Sequence, residues 1–171
     1  TARVELAHRT ASYGTRPEDP GKGAAWGTAD SAGTPAVLKR IADAHVSVPE
    51  GFTVHPKVLP QLQRRAAAIT EGPIDWGTGE ILALGSLLMQ GRPVRLSGQD
   101  SRRGTFVPRF ATVIDRVTAA EWTPLAHLTD DQASFHVYDS LLSEYAVLGF
   151  EYGYSVARPE ALTLWEAQFG D

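Results

Sequence analysis

Residues 135–165 read FHVYDSLLSEYAVLGFEYGYSVARPEALTLW, and the fold class follows from their periodicity. Phe135–Tyr138 is a short aromatic and β-branched run with weak alternation, which predicts a buried strand. Ser140–Ala157 predicts a helix, because Leu142, Tyr145, Leu148, Tyr152 and Val156 recur at the spacing of one helical face, read here as its core face. Arg158-Pro159 ends that helix, since proline cannot continue the hydrogen-bond ladder. Ala161–Trp165 predicts a second strand. A strand, a crossover helix and a strand of these lengths form a parallel pair, the building unit of an α/β layer.

Working outward, Pro93–Leu96 predicts a further strand, followed by the polar loop Ser97–Gly104. Ala111–Ile114 predicts another strand or one arm of a hairpin. Upstream, Gly77–Met89 predicts a helix with Ile81, Leu82, Leu84, Leu87 and Leu88 around most of its circumference, so it is expected to be buried on more than one side. Pro56–Thr70 predicts an amphipathic helix with Val58, Leu59, Leu62, Ala66 and Ile69 on one face and Arg64 and Arg65 outside it. Val37, Leu38 and Ile41 predict a short helix ending before Val48–Gly51. Residues 11–36 carry five glycines and three prolines with few large apolar side chains. Such a stretch buries too little surface to offset its ordering entropy, so residues 1–36 are read as an extended arm or linker. The segment 37–73 is read as a helical connector, and 74–171 as an α/β region. A doubly wound sheet needs more strands than these, so the expectation is a partial α/β domain with parallel strands.

Composition removes several function classes. The chain has 171 residues, 43% hydrophobic and 21% charged, values of an ordinary globular protein. It has no cysteine, which excludes thiolate metal sites, disulfide frameworks and cysteine nucleophiles. No run of eighteen apolar residues suggests a membrane span, and Thr1–Glu5 has no signal-peptide pattern, so the cytoplasm is the expected location. Sixteen basic and twenty acidic residues give a net charge of −4, with no basic block to suit nucleic acid or an anionic membrane. The five histidines, His8, His45, His55, His127 and His136, have no metal-ligand spacing. There is no Gly-rich phosphate loop and no GxSxG elbow.

In open α/β sheets, ligands bind beyond the carboxyl ends of the strands. Two segments fit that description: the loop Ser97–Gly104 and the helix start at Ser143-Glu144. A carboxylate in the first turn of a helix feels the positive end of the dipole, which favours its ionised form. Burial acts in the opposite direction. A buried Glu144 would therefore share a proton strongly with a ligand nitrogen, whereas an exposed one would merely complement the helix dipole. Glu80, inside an apolar helix, is either a buried functional carboxylate or a side chain turned to solvent. Arg102 and Arg103 either bind an anion or form a solvated pair.

Four blocks in a fixed order carry a resemblance: IDWGTGEILALGSLL from Ile74, PVRLSGQDSRRGTF from Pro93, VYDSLLSEYAVLGFEYGYS from Val137 and LWEAQFGD from Leu164. With VLKRIADAHVSVPEGFTVHPKVLPQLQRR from Val37, they resemble the thiamine-diphosphate-dependent first component of the 2-oxoglutarate dehydrogenase complex in its actinobacterial form. The likeness spans about four-fifths of the chain. It implies the connector into a pyrimidine-binding α/β domain and the first half of that domain. It implies thiamine diphosphate and Mg2+ as cofactors, the metal held outside this chain, and a 2-oxo acid as substrate. By resemblance Glu144 would hydrogen-bond N1′ of the aminopyrimidine and promote loss of the thiazolium C2 proton. Glu151, seven residues on and along nearly the same face, is the second choice. Gln99 and Asp100 would line the cofactor or substrate side, and Phe169 would pack near the pyrimidine.

The sequence also departs from that family. After Gly104-Thr105-Phe106 the family continues with a polar residue, Gln, Arg and His, whereas this chain has Val107-Pro108-Arg109-Phe110. Phe110 cannot perform the proton or anion chemistry of that histidine. The Gly-Asp-Gly diphosphate and magnesium motif belongs to a different domain and is not in these residues. Two readings follow: part of a decarboxylating 2-oxo acid enzyme (or a carboligase relative) that needs other chains or segments, in a hetero-oligomer, or a non-catalytic assembly module derived from the fold.

Overall fold

The computed structural model describes residues 34–170. The expected arm lies outside them up to residue 33, and Pro35-Ala36 already belong to a helix. That helix, α1 (Pro35–Val46), starts where Thr34 accepts a hydrogen bond from the backbone N–H of Val37, with proline in the first turn, a pairing suited to a helix start. α2 (Leu59–Glu71) and α3 (Trp76–Met89) follow. Asp75 caps α3 by accepting from the Thr78 N–H at 2.7 Å.

Three strands form one sheet in the order β4 (Phe135–Asp139), β1 (Val94–Gly98), β5 (Leu162–Glu166), all parallel. The fold is therefore α/β with a parallel sheet, as the sequence indicated. β1 is longer than expected: Ser97 and Gly98 pair with both neighbours and belong to the strand rather than to the loop. Val113–Ile114 (β2) is a hairpin arm, paired antiparallel with β3 (Glu121–Trp122), a partner with no alternating pattern to reveal it. Pro124–His127 forms a turn of 3-10 helix. α4 spans Glu144–Ala157, so Ser140–Ser143 lead into the helix instead of opening it.

Pleating divides β1 between two layers. Val94 packs into a core with Ile41 of α1, Ile81, Leu82, Leu84 and Leu88 of α3, and Leu125 and Leu128, and Leu96, on the same face of the strand, is buried too. Arg95 and Ser97 face α4 on the other side. α1 and α3 approach closely at Gly85, where an added Cβ would lie 2.8 Å from Ile41 Cγ2.

Two expectations about faces are corrected. Leu142, Tyr145, Leu148, Tyr152 and Val156 of the expected α4 core face are all exposed in this chain. The buried residues of α4 are Val147 and Glu151. The helix is apolar around most of its circumference, so spacing alone does not say which stripe meets the sheet. Arg65, expected outside, is largely buried and pairs with Asp75 at 3.0 Å.

A carboxylate organises the connector. Asp115 accepts from the backbone N–H groups of Thr53 (2.9 Å), Val117 (2.7 Å) and Thr118 (2.9 Å), tying the loop after α1 to the β2–β3 hairpin. Those N–H bonds hold its carboxyl below the ordinary range. A carboxyl lowered on folding stabilises above its unfolded pKa, about 3.9, and the contribution is lost as pH falls through the folded value. Denaturation midpoints should therefore fall between about pH 5 and pH 3, and Asp115→Asn should lower the midpoint at neutral pH and flatten that acid limb. Helix glycines supply a second check. Gly85→Ala gains about 1 kcal/mol of helix propensity but overpacks Ile41 at a cost of about 1–3 kcal/mol, so it should destabilise. Gly79→Ala, whose Cβ meets nothing within 4 Å, should stabilise by about 0.5–1 kcal/mol in the same denaturation measurement.

Candidate functional site

The three parallel strands end together, with Gly98 in register with Asp139 and with Glu166. Four candidate residues follow those ends. Gln99 and Asp100 follow β1, Glu144 follows β4 through Ser140–Ser143, and Phe169 follows β5. The topology thus brings all four to one edge of the sheet, the edge where an open parallel sheet binds ligands.

Ordered hydrogen bonds build this edge. The Ser140 N–H donates to the Gly98 carbonyl at 2.7 Å, and the Arg102 N–H donates to Asp139 Oδ1 at 3.0 Å. Arg103 pairs with Asp100 at 2.5 Å, so Asp100 has a partner within its own loop, while Gln99 is exposed. Gly104 has a φ of +98° and any Cβ there would lie 2.3 Å from the Val107 carbonyl, which requires glycine. The loop then returns to Arg109, a buried guanidinium that donates to Glu80 (3.0 Å), to the Ser101 carbonyl (2.8 Å) and to Glu166. Burial disfavours the Arg109 charge, but bonds to the two carboxylates more than offset it and raise its pKa. Glu80 is thus neither isolated nor simply solvated: it is one arm of a bridge between α3 and the end of β5. Arg102 likewise pairs with Glu121 at 2.6 Å, so Arg102 and Arg103 are both occupied by carboxylates.

Glu144 is exposed and has a φ of +51°, a left-handed conformation that a non-glycine residue adopts at a cost of about 1–3 kcal/mol. Burial was the condition for strong proton sharing, and among the described residues it is not met: Glu144 is exposed. Two aromatic rings flank the same edge with open faces, Tyr145 at 92% exposure and Phe169 at 97%. Among the described residues no group of three or more His, Asp or Glu is arranged to hold a metal ion.

Glu151 is the opposite case. It is 7% exposed, and its carboxylate accepts from Arg95 Nε at 2.7 Å, from Arg95 Nη2 at 2.9 Å and from Ser97 Oγ at 2.7 Å. Burial pushes its pKa up, yet the Arg95 and Ser97 bonds and the Arg95 charge outweigh that and hold it below the ordinary value. Sequence reasoning missed this network and the Arg109 bridge. The signal was present in β1, where strand alternation puts Arg95 and Ser97 on one face and Val94 and Leu96 on the other. A charge on the face meeting a helix demands a carboxylate there.

Phe110, which stands where the resembling family has histidine, also has a left-handed φ of +51°, and its carbonyl lies 3.0 Å from Nε2 of the buried His45. Burial lowers the His45 pKa against the opposing effect of that bond. Histidine tolerates the left-handed region better than phenylalanine, so Phe110 is a less suited side chain for this bend.

A model of the transketolase pyrimidine-binding domain matches residues 72–171. Proteins named multifunctional 2-oxoglutarate metabolism enzyme from Mycobacterium sp. strains JLS and KMS are 56% identical over 142 residues, covering 80% of this chain, and the one from Mycolicibacterium vanbaalenii is 52% identical over the same length. The chain spans 11% of the length of each of these relatives. With its parallel β4–β1–β5 sheet and strand-end loops, the chain belongs to the transketolase pyrimidine-binding domain family and presents part of that domain.

Proposed function

We propose that these residues form the aminopyrimidine side of a thiamine diphosphate site in a 2-oxo acid decarboxylating enzyme, with 2-oxoglutarate or a close analogue as substrate. The observation that carries this reading is Glu144: a carboxylate in a strained conformation at the head of the helix that follows β4, at the carboxyl edge of the parallel sheet, with the exposed ring of Tyr145 next in sequence. Strain of this kind persists only where surrounding structure holds it, and it concentrates at functional sites. A flat cationic heterocycle suits exposed aromatic rings, and a protonated ring nitrogen suits a carboxylate at hydrogen-bond distance.

When bound, thiamine diphosphate supplies an electron sink for decarboxylation of the 2-oxo acid. In this reading Glu144 accepts a hydrogen bond from N1′, and Tyr145 and Phe169 supply apolar walls. Gln99 and Asp100 line the cofactor or substrate side. The diphosphate and Mg2+ are held by segments outside these residues, in the same polypeptide or another. Closure by those segments would exclude water from Glu144 and strengthen its interaction with the ring.

The identity of the relatives supports 2-oxoglutarate over other 2-oxo acids, because their printed names refer to it. A second reading is favoured by one observation, Phe110 in place of the family's histidine: the fold would serve assembly without catalysis. In the intact enzyme containing this stretch, Glu144→Gln should slow exchange of the thiamine C2 proton with deuterium by about 10²–10⁴-fold, the range of general acid–base contributions. Binding of thiamine diphosphate with Mg2+ should change far less. Exchange at the wild-type rate in Glu144→Gln would remove Glu144 from this role. Under the assembly reading the wild-type protein shows no cofactor binding, and Phe110→His leaves 2-oxoglutarate decarboxylation at background; under the enzyme reading Phe110→His increases it.

A further inference from the structure

α4 carries Glu144 at its first position, yet the start of the helix is weakly fastened. Ser143 makes no side-chain capping bond, and the Val147 N–H reaches the Ser143 carbonyl only at 3.5 Å. The strained Glu144 backbone is therefore not held by its own turn. Of the fourteen residues in α4, Val147 and Glu151 are buried. Val147 supplies apolar contact, which has no preferred direction. Glu151 supplies three directed bonds to β1, two of them from the planar Arg95 fork, a geometry that fixes orientation as well as distance.

Arg95 is gripped in turn. Its guanidinium carbon lies 4.9 Å from the Tyr138 ring centre, 5.2 Å from Phe150 and 4.8 Å from Tyr154, within the range of cation–π attraction. Phe150, Glu151 and Tyr154 of α4 thus close on one side chain of the central strand, while Tyr138 holds it from β4. Sliding or rotating α4 breaks this contact set at once. Glu144 opens the helix that Glu151 anchors two turns on, so the anchorage of the second limits where the head of the helix, and Glu144 with it, lies along the sheet edge.

Resting on the reading of Glu144 given above, we propose that Glu151, through Arg95 and Ser97, is a positioning residue that sets the placement of the Glu144 carboxylate against the cofactor ring. Glu151 does not touch the ring; it acts through the helix. Misplacement of a reacting group by 1 Å costs about 10²-fold, which sets the size of the effect.

The test uses the intact enzyme loaded with thiamine diphosphate and Mg2+, well below the melting temperature of each variant. Glu151→Gln should slow C2 proton exchange by ~30- to 100-fold while cofactor affinity changes by less than about tenfold. Val113→Ala, a cavity in the β2–β3 hairpin away from α4, is the control for simple destabilisation, and its exchange rate should stay within about twofold of wild type. Arg95→Lys, which keeps the charge but loses the fork, should fall between wild type and Glu151→Gln. Equal slowing in Glu151→Gln and Val113→Ala, or a wild-type rate in Glu151→Gln, overturns the proposal. Should Glu151→Gln fail to fold, Ser97→Ala decides: about three- to tenfold slower exchange supports the proposal and a wild-type rate overturns it. Glu144→Gln in the same assay separates the two ideas. If it exchanges normally, the reading of Glu144 fails; if it is slow while the Glu151 and Ser97 variants are normal, only the positioning role fails.

Discussion

The pairing of Arg95 with Glu151 fixes how the two halves of this chain meet. One layer, α1 and α3 against the Val94–Leu96 face of the sheet, is an ordinary apolar core. The other layer, α4 against the reverse face, is organised around a charge pair and a hydroxyl. Apolar packing tolerates small shifts, because burial of surface is indifferent to direction. A bidentate fork is not indifferent. Buried ion pairs add little net stability after desolvation, and removing one partner leaves a charge stranded. The return on such a pair here is geometric: one helix register and one rotation, with the head of that helix at the edge of the sheet.

Arg109 plays the same part for the loop after β1. The loop runs outward from Gly98, turns at Gly104 and returns to a guanidinium clasped by Glu80 of α3 and Glu166 of β5. The Arg109 anchor lies at the carboxyl end of β5, through Glu166, and the Arg95 anchor near the amino end of β1, and both hold segments that carry candidate residues. Placing rigid anchors under polar loops gives precise positions without relying on the loops themselves. The departure at Phe110 is consistent with this arrangement. The side chain differs from that of the resembling family, and the left-handed backbone at this position is fixed from outside by Arg103 and His45.

What the sequence disclosed and what it withheld follow from the range of the forces involved. Helices α1 to α3 were legible because their apolar spacing and their stops are local. The parallel strands were legible because Phe135–Trp165 repeats a strand–helix–strand pattern that admits few alternatives. The strand-end placement of Gln99, Asp100 and Glu144 followed from topology, whereas Phe169 was singled out only by the resemblance. The face of α4 was not legible: Leu142, Tyr145, Leu148, Tyr152 and Val156 make a regular stripe, and the true sheet contact, Val147 with Glu151, contains one apolar residue and one charge. β3 was missed because two residues, Glu121 and Trp122, carry no period. The left-handed φ values at Phe110 and Glu144 were beyond reach, since neither residue favours that region and only tertiary context enforces it.

The misread stripe on α4 has its own physical consequence. A helix that is apolar on one face meets one layer, and a helix that is apolar all round belongs between two. Tyr145, Leu148, Tyr152 and Val156, one stripe at helical spacing, remain exposed after α4 has docked on the sheet. The same helix satisfies its charge inward, at Glu151, and turns its apolar side chains outward, the reverse of a helix at a water boundary. Covering the outer face would remove those side chains from water, and Glu144, at the head of the helix, would be enclosed with them. The exposed carboxylate and the exposed stripe thus belong to one helix, so that a single surface laid against it would bury both.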